Sequence, residues 1–114
     1  MAECIFCKIA EGRVESQTVY EDEQVKAFYD LNPQAPVHVL IIPKEHLTNA
    51  LELTAERTAL AGHLVVVASR LAQQLGIAES GFRLVLNCNE HGGQAVDHLH
   101  FHLLGGRQMN WPPG

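Results

Sequence analysis

Apolar and polar positions along this chain fall into short blocks separated by turn residues, and the period of each block predicts its element. Cys4 to Glu11, ahead of Gly12, predicts a short helix with glycine at its C-terminal stop. Thr18 to Glu21 and Val25 to Asp30, split by the polar Asp22 to Gln24, predict a hairpin. Asn32-Pro33-Gln34-Ala35-Pro36 is a turn with two prolines. Val37 to Pro43 is a nearly continuous apolar run broken by His38, which predicts a strand buried on both faces and a buried His38. Leu60, Leu64, Val67, Leu71 and Leu75 recur at helical spacing. They predict a long helix from about Ala55 to Leu75, capped by Thr54 and ended by Gly76. Arg83 to Asn87 reads as a short strand, Asn89 to Gln94 as a glycine-rich loop, and His98 to Leu104 as a last strand before Gly105-Gly106. Adjacent strands with one long helix make an α+β fold with a mainly antiparallel sheet.

With 114 residues, the chain is expected to form a single domain over 1–114. Its apolar share of 46% and charged share of 18% exclude a disordered tail. A net charge of −5 without a basic run argues against long nucleic acids as partners and leaves a small phosphate ligand open. The N-terminus lacks a basic segment followed by an apolar run, and no stretch has the apolar length of a membrane span. The expectation is a soluble, cytoplasmic protein with no membrane partner. Two of the three cysteines form Cys4-Ile5-Phe6-Cys7, a spacing that in a cytosolic chain favours metal binding or redox chemistry over a structural disulfide.

His98-Leu99-His100-Phe101-His102-Leu103-Leu104 is the most informative stretch. Strict alternation predicts that its histidines share one strand face, with successive Cα atoms about 6.6 Å apart. Such a row can bind metal, hold a phosphate or supply a nucleophile. A polar strand face that happens to use histidine is the bland alternative, and catalysis is favoured because exposed strand faces use Thr, Lys and Glu far more readily. Upstream, Gly92-Gly93 offers backbone able to approach an anion, or an ordinary turn.

These residues resemble the histidine triad family. His98 to Leu104 fits its alternating signature of histidine and apolar residues, and Asp30-Leu31, Pro33 to Pro36, Asn87, Gly92-Gly93-Gln94 and the ending Gly-Gly-Arg-Gln-Met-Asn-Trp-Pro-Pro-Gly resemble its Hint branch of purine nucleoside phosphoramidases. The resemblance implies a HIT-like fold: an antiparallel sheet of about five strands, one short and one long helix, and a sheet continued across a homodimer. It implies hydrolysis of the P–N bond of purine nucleoside 5′-phosphoramidates, adenosine preferred, to a purine nucleoside monophosphate and an amine. In that scheme His100 is the nucleophile that becomes nucleotidylated. His102 binds the phosphoryl oxygens, the backbone carbonyl of His98 orients the nucleophile, and His38 completes the imidazole network. Asn87, Gly93 and Gln94 correspond to phosphate and ribose contacts, Asp30 to the carboxylate that binds ribose hydroxyls, and Leu31, Phe6, Ile9 and Val14 to the apolar surroundings of the base. No metal is required at the phosphorus.

One departure concerns the leaving group. Many Hint members carry serine after Gly-Gly-Gln, and this chain has Ala95, which cannot hydrogen-bond a departing amine. Cys4 and Cys7 resemble other triad-family members and the galactose-1-phosphate uridylyltransferases, where such a pair binds structural zinc with two histidines. The corresponding ligands here are His46 and His98. The alternative is that both cysteines are small buried hydrophobes and His46 a solvated turn residue. His63 reads as a helix-surface or dimer-face residue, His91 as a loop residue, Cys88 as buried and inert, and Trp111 as a residue that packs across a dimer boundary. Two further functions stay open: a nucleotide-binding interaction protein with weak catalysis, and a dinucleoside polyphosphate hydrolase.

Overall fold

The computed structural model describes residues 4–114. Its elements run α1 (Ile5–Ala10), β1 (Thr18–Glu21), β2 (Val25–Tyr29), β3 (Val37–Pro43), α2 (Thr58–Gln74), β4 (Phe82–Leu86), α3 (Asn89–Gly92) and β5 (Phe101–Gly105), with short 3-10 turns at Ala50–Glu52 and Ala55–Arg57. The strands form one 5-stranded sheet in the order β1-β2-β3-β5-β4, and every neighbouring pair is antiparallel. No helix among the described residues is long and apolar enough to cross a membrane.

β3 lies at the centre of the sheet, and both of its faces are covered, as its continuous apolar run predicts. On one face Val39 and Ile41 meet Leu60, Leu64, Val67 and Leu71 of α2, together with Leu99 and Leu103. On the other face Leu40 and Ile42 join Phe28 and the α1 residues Phe6, Ile9 and Ala10. His38 is buried, as predicted.

Three local expectations are corrected. The long helix opens with the 3-10 turn Ala55–Arg57, and the Thr54 side chain makes no capping bond. The tighter turn uses one of the first N–H groups instead, with Arg57 N–H donating to the Thr54 carbonyl at 2.9 Å. Gly76 does end the helix: at φ +76 it lets the Ile77 N–H return to the Ala72 carbonyl at 2.9 Å. The stretch after β4 is no open loop, because Asn89–Gly92 makes one helical turn capped by left-handed Gly93.

Candidate functional site

The predicted strand from His98 to Leu104 is also corrected, because β5 begins only at Phe101. The β3–β5 ladder runs as far as Ile41 opposite Phe101, and Pro43 has no N–H with which to extend it. Leu99 donates its N–H to the Leu47 carbonyl at 2.7 Å instead. The fully buried His98 ring donates Nε2–H to the Pro43 carbonyl at 2.8 Å. The alternation persists: Phe6 meets the rings of both His98, at 5.9 Å, and His100, at 5.1 Å, while Leu99, Phe101 and Leu103 join the α2 cluster. Along that shared side His98 belongs to a cysteine cluster, while His100 and His102 line a cavity.

The proton positions of the cavity histidines follow from their partners. The His98 carbonyl can only accept, so His100 Nδ1, 2.7 Å away, carries the proton and Nε2 of the neutral ring keeps its lone pair. The Gln34 backbone N–H donates to His38 Nδ1 at 3.0 Å, so neutral His38 is protonated on Nε2. That nitrogen lies 2.9 Å from His102 Nδ1, which accepts from it and leaves the His102 proton on its own Nε2. Burial holds His38 below the ordinary imidazole range, against the raising effect of the nearby Asp30 charge. His102 is pushed down to about 4, chiefly by burial and then by the neighbouring His100 and His38. Adjacent rings, 5.0 Å apart between His100 and His102, thus present opposite faces of imidazole chemistry, a lone pair and an N–H.

The cavity holds about 270 Å³ and is mostly apolar. Phe6, Ile9, Phe28 and Leu40 wall it, Leu31 stands at its mouth, and Asp30, Ala95, His100 and His102 also line it. Phe6 meets the His100 ring edge-on at 5.1 Å. Asp30 Oδ2 lies 3.4 Å from His38 Nε2. Of the residues expected around a base and phosphate, Val14 packs behind the wall formed by α1, and Asn87, Gly93 and Gln94 stand outside the lining. The Gln94 side chain is engaged elsewhere. It accepts from Asn89 N–H at 2.9 Å and donates to the carbonyls of Thr48 at 2.7 Å and Val96 at 3.0 Å. Sequence reasoning missed Ile5, Glu15, Ser16, Phe28, Tyr29, Leu40 and Val96, which also line the cavity. Only the two-residue period of β2 hinted that Phe28 faces the same side as α1.

Cys4, Cys7, His46 and His98 place one ligand atom each within 4.8 Å of one another. His98 Nδ1 is 3.3 Å from Cys4 Sγ and 3.5 Å from Cys7 Sγ, and His46 Nδ1 is 3.2 Å from Cys7 Sγ. Tetrahedral Zn–S and Zn–N bonds of about 2.3 and 2.1 Å require ligand atoms roughly 3.4 to 3.8 Å apart, so the cluster is close to the size of such a site. The donor set fits as well. With its proton on Nε2 toward Pro43, His98 turns an Nδ1 lone pair to the thiols, the second hydrogen bond that orients metal-binding histidines.

The remaining candidates are placed as follows. His63 donates across to Asp22 Oδ2 at 2.5 Å, and Asp22 also accepts from the Tyr20 hydroxyl at 2.6 Å, so this helix-surface histidine ties α2 to the first hairpin. Cys88 is half-buried at the start of α3, His91 is exposed on α3, and Trp111 is exposed.

A family model described as the HIT domain matches residues 11–109. The chain belongs to the HIT family. It is 48% identical to a purine nucleoside phosphoramidase of Escherichia coli strain K12 over 94% of this chain and 90% of that protein. It is 51% identical to the 14 kDa zinc-binding protein of Zea mays, over 96% of this chain and 87% of that protein. Its fold matches the crystal structure of a HIT family hydrolase from Legionella pneumophila Philadelphia 1 with a TM-score of 0.96 and 49% identity, covering 98% and 100% of the two chains. The antiparallel HIT fold anticipated from the histidine pattern is therefore the fold observed, and the cysteine pair lies in a cluster that can hold a metal.

Proposed function

We propose that this HIT protein hydrolyses the P–N bond of purine nucleoside 5′-phosphoramidates, adenosine ones preferred, through a nucleotidyl intermediate on His100. The observation that carries the reading is the pair of opposite tautomers inside an apolar cavity. A lone pair on His100 Nε2 attacks phosphorus, and the P–N electron pair leaves with nitrogen, which takes a proton from solvent and departs as the amine. The N–H of His102 Nε2 donates to the phosphoryl oxygen on which charge accumulates. Water then attacks phosphorus, gives a proton to solvent and breaks the bond between His100 Nε2 and phosphorus, whose electron pair returns to the ring. The depressed pKa of His102 keeps that ring a neutral donor with its tautomer set by His38. In this reading Asp30 accepts from ribose hydroxyls, Phe6 and Ile9 flank the base, and Asn87, Gly93 and Gln94, outside the cavity lining, meet only the part of the phosphate that projects beyond it. A volume of about 270 Å³ lies at the small end of ligand sites and suits one nucleoside better than two. The relationship to a phosphoramidase at 48% identity supports the substrate class.

We further propose that Cys4, Cys7, His46 and His98 hold zinc. When bound, zinc would supply a structural tie and no chemistry at phosphorus. The protein is proposed to work as a homodimer in the cytoplasm. Edge strand β4, with Phe82 exposed, and the exposed Val65 and Val66 of α2 offer surfaces for a second copy, and the thiols of Cys4, Cys7 and Cys88 form no disulfide.

Intact-mass measurement after rapid quenching, with an adenosine phosphoramidate bearing a good leaving group, tests the reading. The wild type is expected to gain one adenylyl group transiently and His100→Ala none, with turnover reduced about a thousandfold or more. Nucleotide binding without adduct or turnover would leave an interaction protein. Faster turnover of a diadenosine polyphosphate would reassign the substrate. Sedimentation of the same sample as a single chain would refute the dimer.

A further inference from the structure

The chemistry assigned to His102 depends on a proton that His102 does not place by itself. Its tautomer is dictated by His38, and that of His38 by one backbone N–H, from Gln34 at 3.0 Å. Gln34 is exposed in the turn between β2 and β3, so the backbone on both sides of its Cα must be held for the N–H to point inward.

Two features beyond the end of β5 do so. Arg107 Nε donates to the Gln34 carbonyl at 3.1 Å, and the same guanidinium is itself anchored by a donation from Nη1 to the Gln108 carbonyl at 3.1 Å. Next to it, Gly106 at φ +91 is packed so closely under the turn that a Cβ would lie 2.8 Å from Pro36 Cβ. The near side of the turn is held by Asp30 Oδ1, which accepts from Asn32 N–H at 2.8 Å, and by the Gln34 side-chain amide, which donates to the Asn32 carbonyl at 3.0 Å.

We infer that Arg107 is a positioning residue for the phosphoryl-binding histidine: by holding the Gln34 carbonyl it aims the Gln34 N–H at His38 Nδ1. That contact makes His38 an Nε2–H donor to His102 Nδ1 and so keeps the His102 proton on Nε2, toward the substrate. Arg107 does not line the cavity. Without it the turn relaxes, His38 Nδ1 loses its donor, and each ring is free to take up either neutral form. The effect on turnover rests on the proposed role of His102, whereas the effect on the tautomers does not.

The test reads both. Two-bond 1H–15N spectra of labelled protein report the tautomer of each histidine, and steady-state kinetics report KM and kcat. The wild type is expected to show single Nε2–H forms of His38 and His102. Arg107→Ala is expected to mix the tautomers of both rings and lower kcat about tenfold or more, with KM changed less than about twofold, the scale seen when orienting partners of active-site histidines are lost. Arg107→Lys, still a donor to a single carbonyl, should restore both readouts. Gly106→Ala disturbs the turn from the Pro36 side and should reproduce the mixing. Wild-type tautomers in both Arg107→Ala and Gly106→Ala would overturn the proposal, as would Nδ1–H in the wild-type His102. Mixed tautomers in Arg107→Ala, in a protein that does not cleave phosphoramidates, would uphold the positioning and refute the proposed function.

Discussion

His98 serves two sites through three atoms. Nδ1 faces the thiols, Nε2–H is spent on the Pro43 carbonyl, and its backbone oxygen accepts from His100 Nδ1. This division explains how neighbouring histidines two residues apart do different work. His98 belongs to the cluster of potential metal ligands, while its carbonyl gives His100 the tautomer a nucleophile needs. Ala95 is the residue whose side chain offers the least at the cavity, since it lines the space and can donate nothing. Ala95→Ser is expected to raise kcat/KM about tenfold for a phosphoramidate with an unactivated alkylamine, the effect of one added neutral hydrogen bond in the transition state. An arylamine substrate, whose leaving group needs less help, should change little. Equal values for wild type and variant with both substrates would show that no leaving-group contact is missing.

α1 has 6 residues, too few to hold a helix by backbone bonds alone. Its place is secured at both ends. Buried Lys26 on β2 donates to the Ile9 carbonyl at 2.8 Å, and Cys4 and Cys7 belong to the four-residue cluster. Between those anchors the helix carries Phe6 and Ile9 to the cavity wall. A metal in the cluster would therefore bear on the proposed nucleotide binding through position rather than chemistry. Stripping metal from purified, untagged protein with a chelator is expected to lower Tm by about 5 °C or more and to weaken nucleoside monophosphate binding several-fold. Zinc should restore both. Unchanged melting and affinity in protein shown by metal analysis to contain about one zinc per chain would separate α1 from the metal.

Across the molecule, the imidazole network sets a pH dependence of stability. His38 and His102 are both depressed, His102 to about 4, whereas unfolded histidine titrates near 6.5. Between the two values the unfolded chain binds more protons than the folded one, so stability rises with pH through that window. It is fully present above the unfolded value and declines as pH falls towards about 4. Thermal melts across this range should show Tm falling with acidification, less steeply in His102→Asn. A wild-type profile flat through the window would mean that these rings are not depressed. The fold that carries the network is one sheet with a helix on each face, α2 over the larger cluster and α1 over the smaller.

The order of residues by itself determined the elements with a clean period: the two-sided burial of β3, the α2 stripe, the hairpin and the alternating histidines. It also carried the family, because the HIT signature is a local spacing that needs no distant partner. Spacing alone could not divide the histidines between two sites; the family resemblance did so, and folding realises it by setting His98 Nε2–H on the Pro43 carbonyl, 55 positions away, with Nδ1 facing Cys4 and Cys7. Nor could it show that Gln94 spends its side chain 46 positions away on Thr48, or that Arg107 reaches 73 positions back to Gln34. Those contacts pass between segments that only folding brings together. The proton positions on which the proposed chemistry rests depend on them, because a neutral imidazole is a donor at one nitrogen and an acceptor at the other according to what surrounds it.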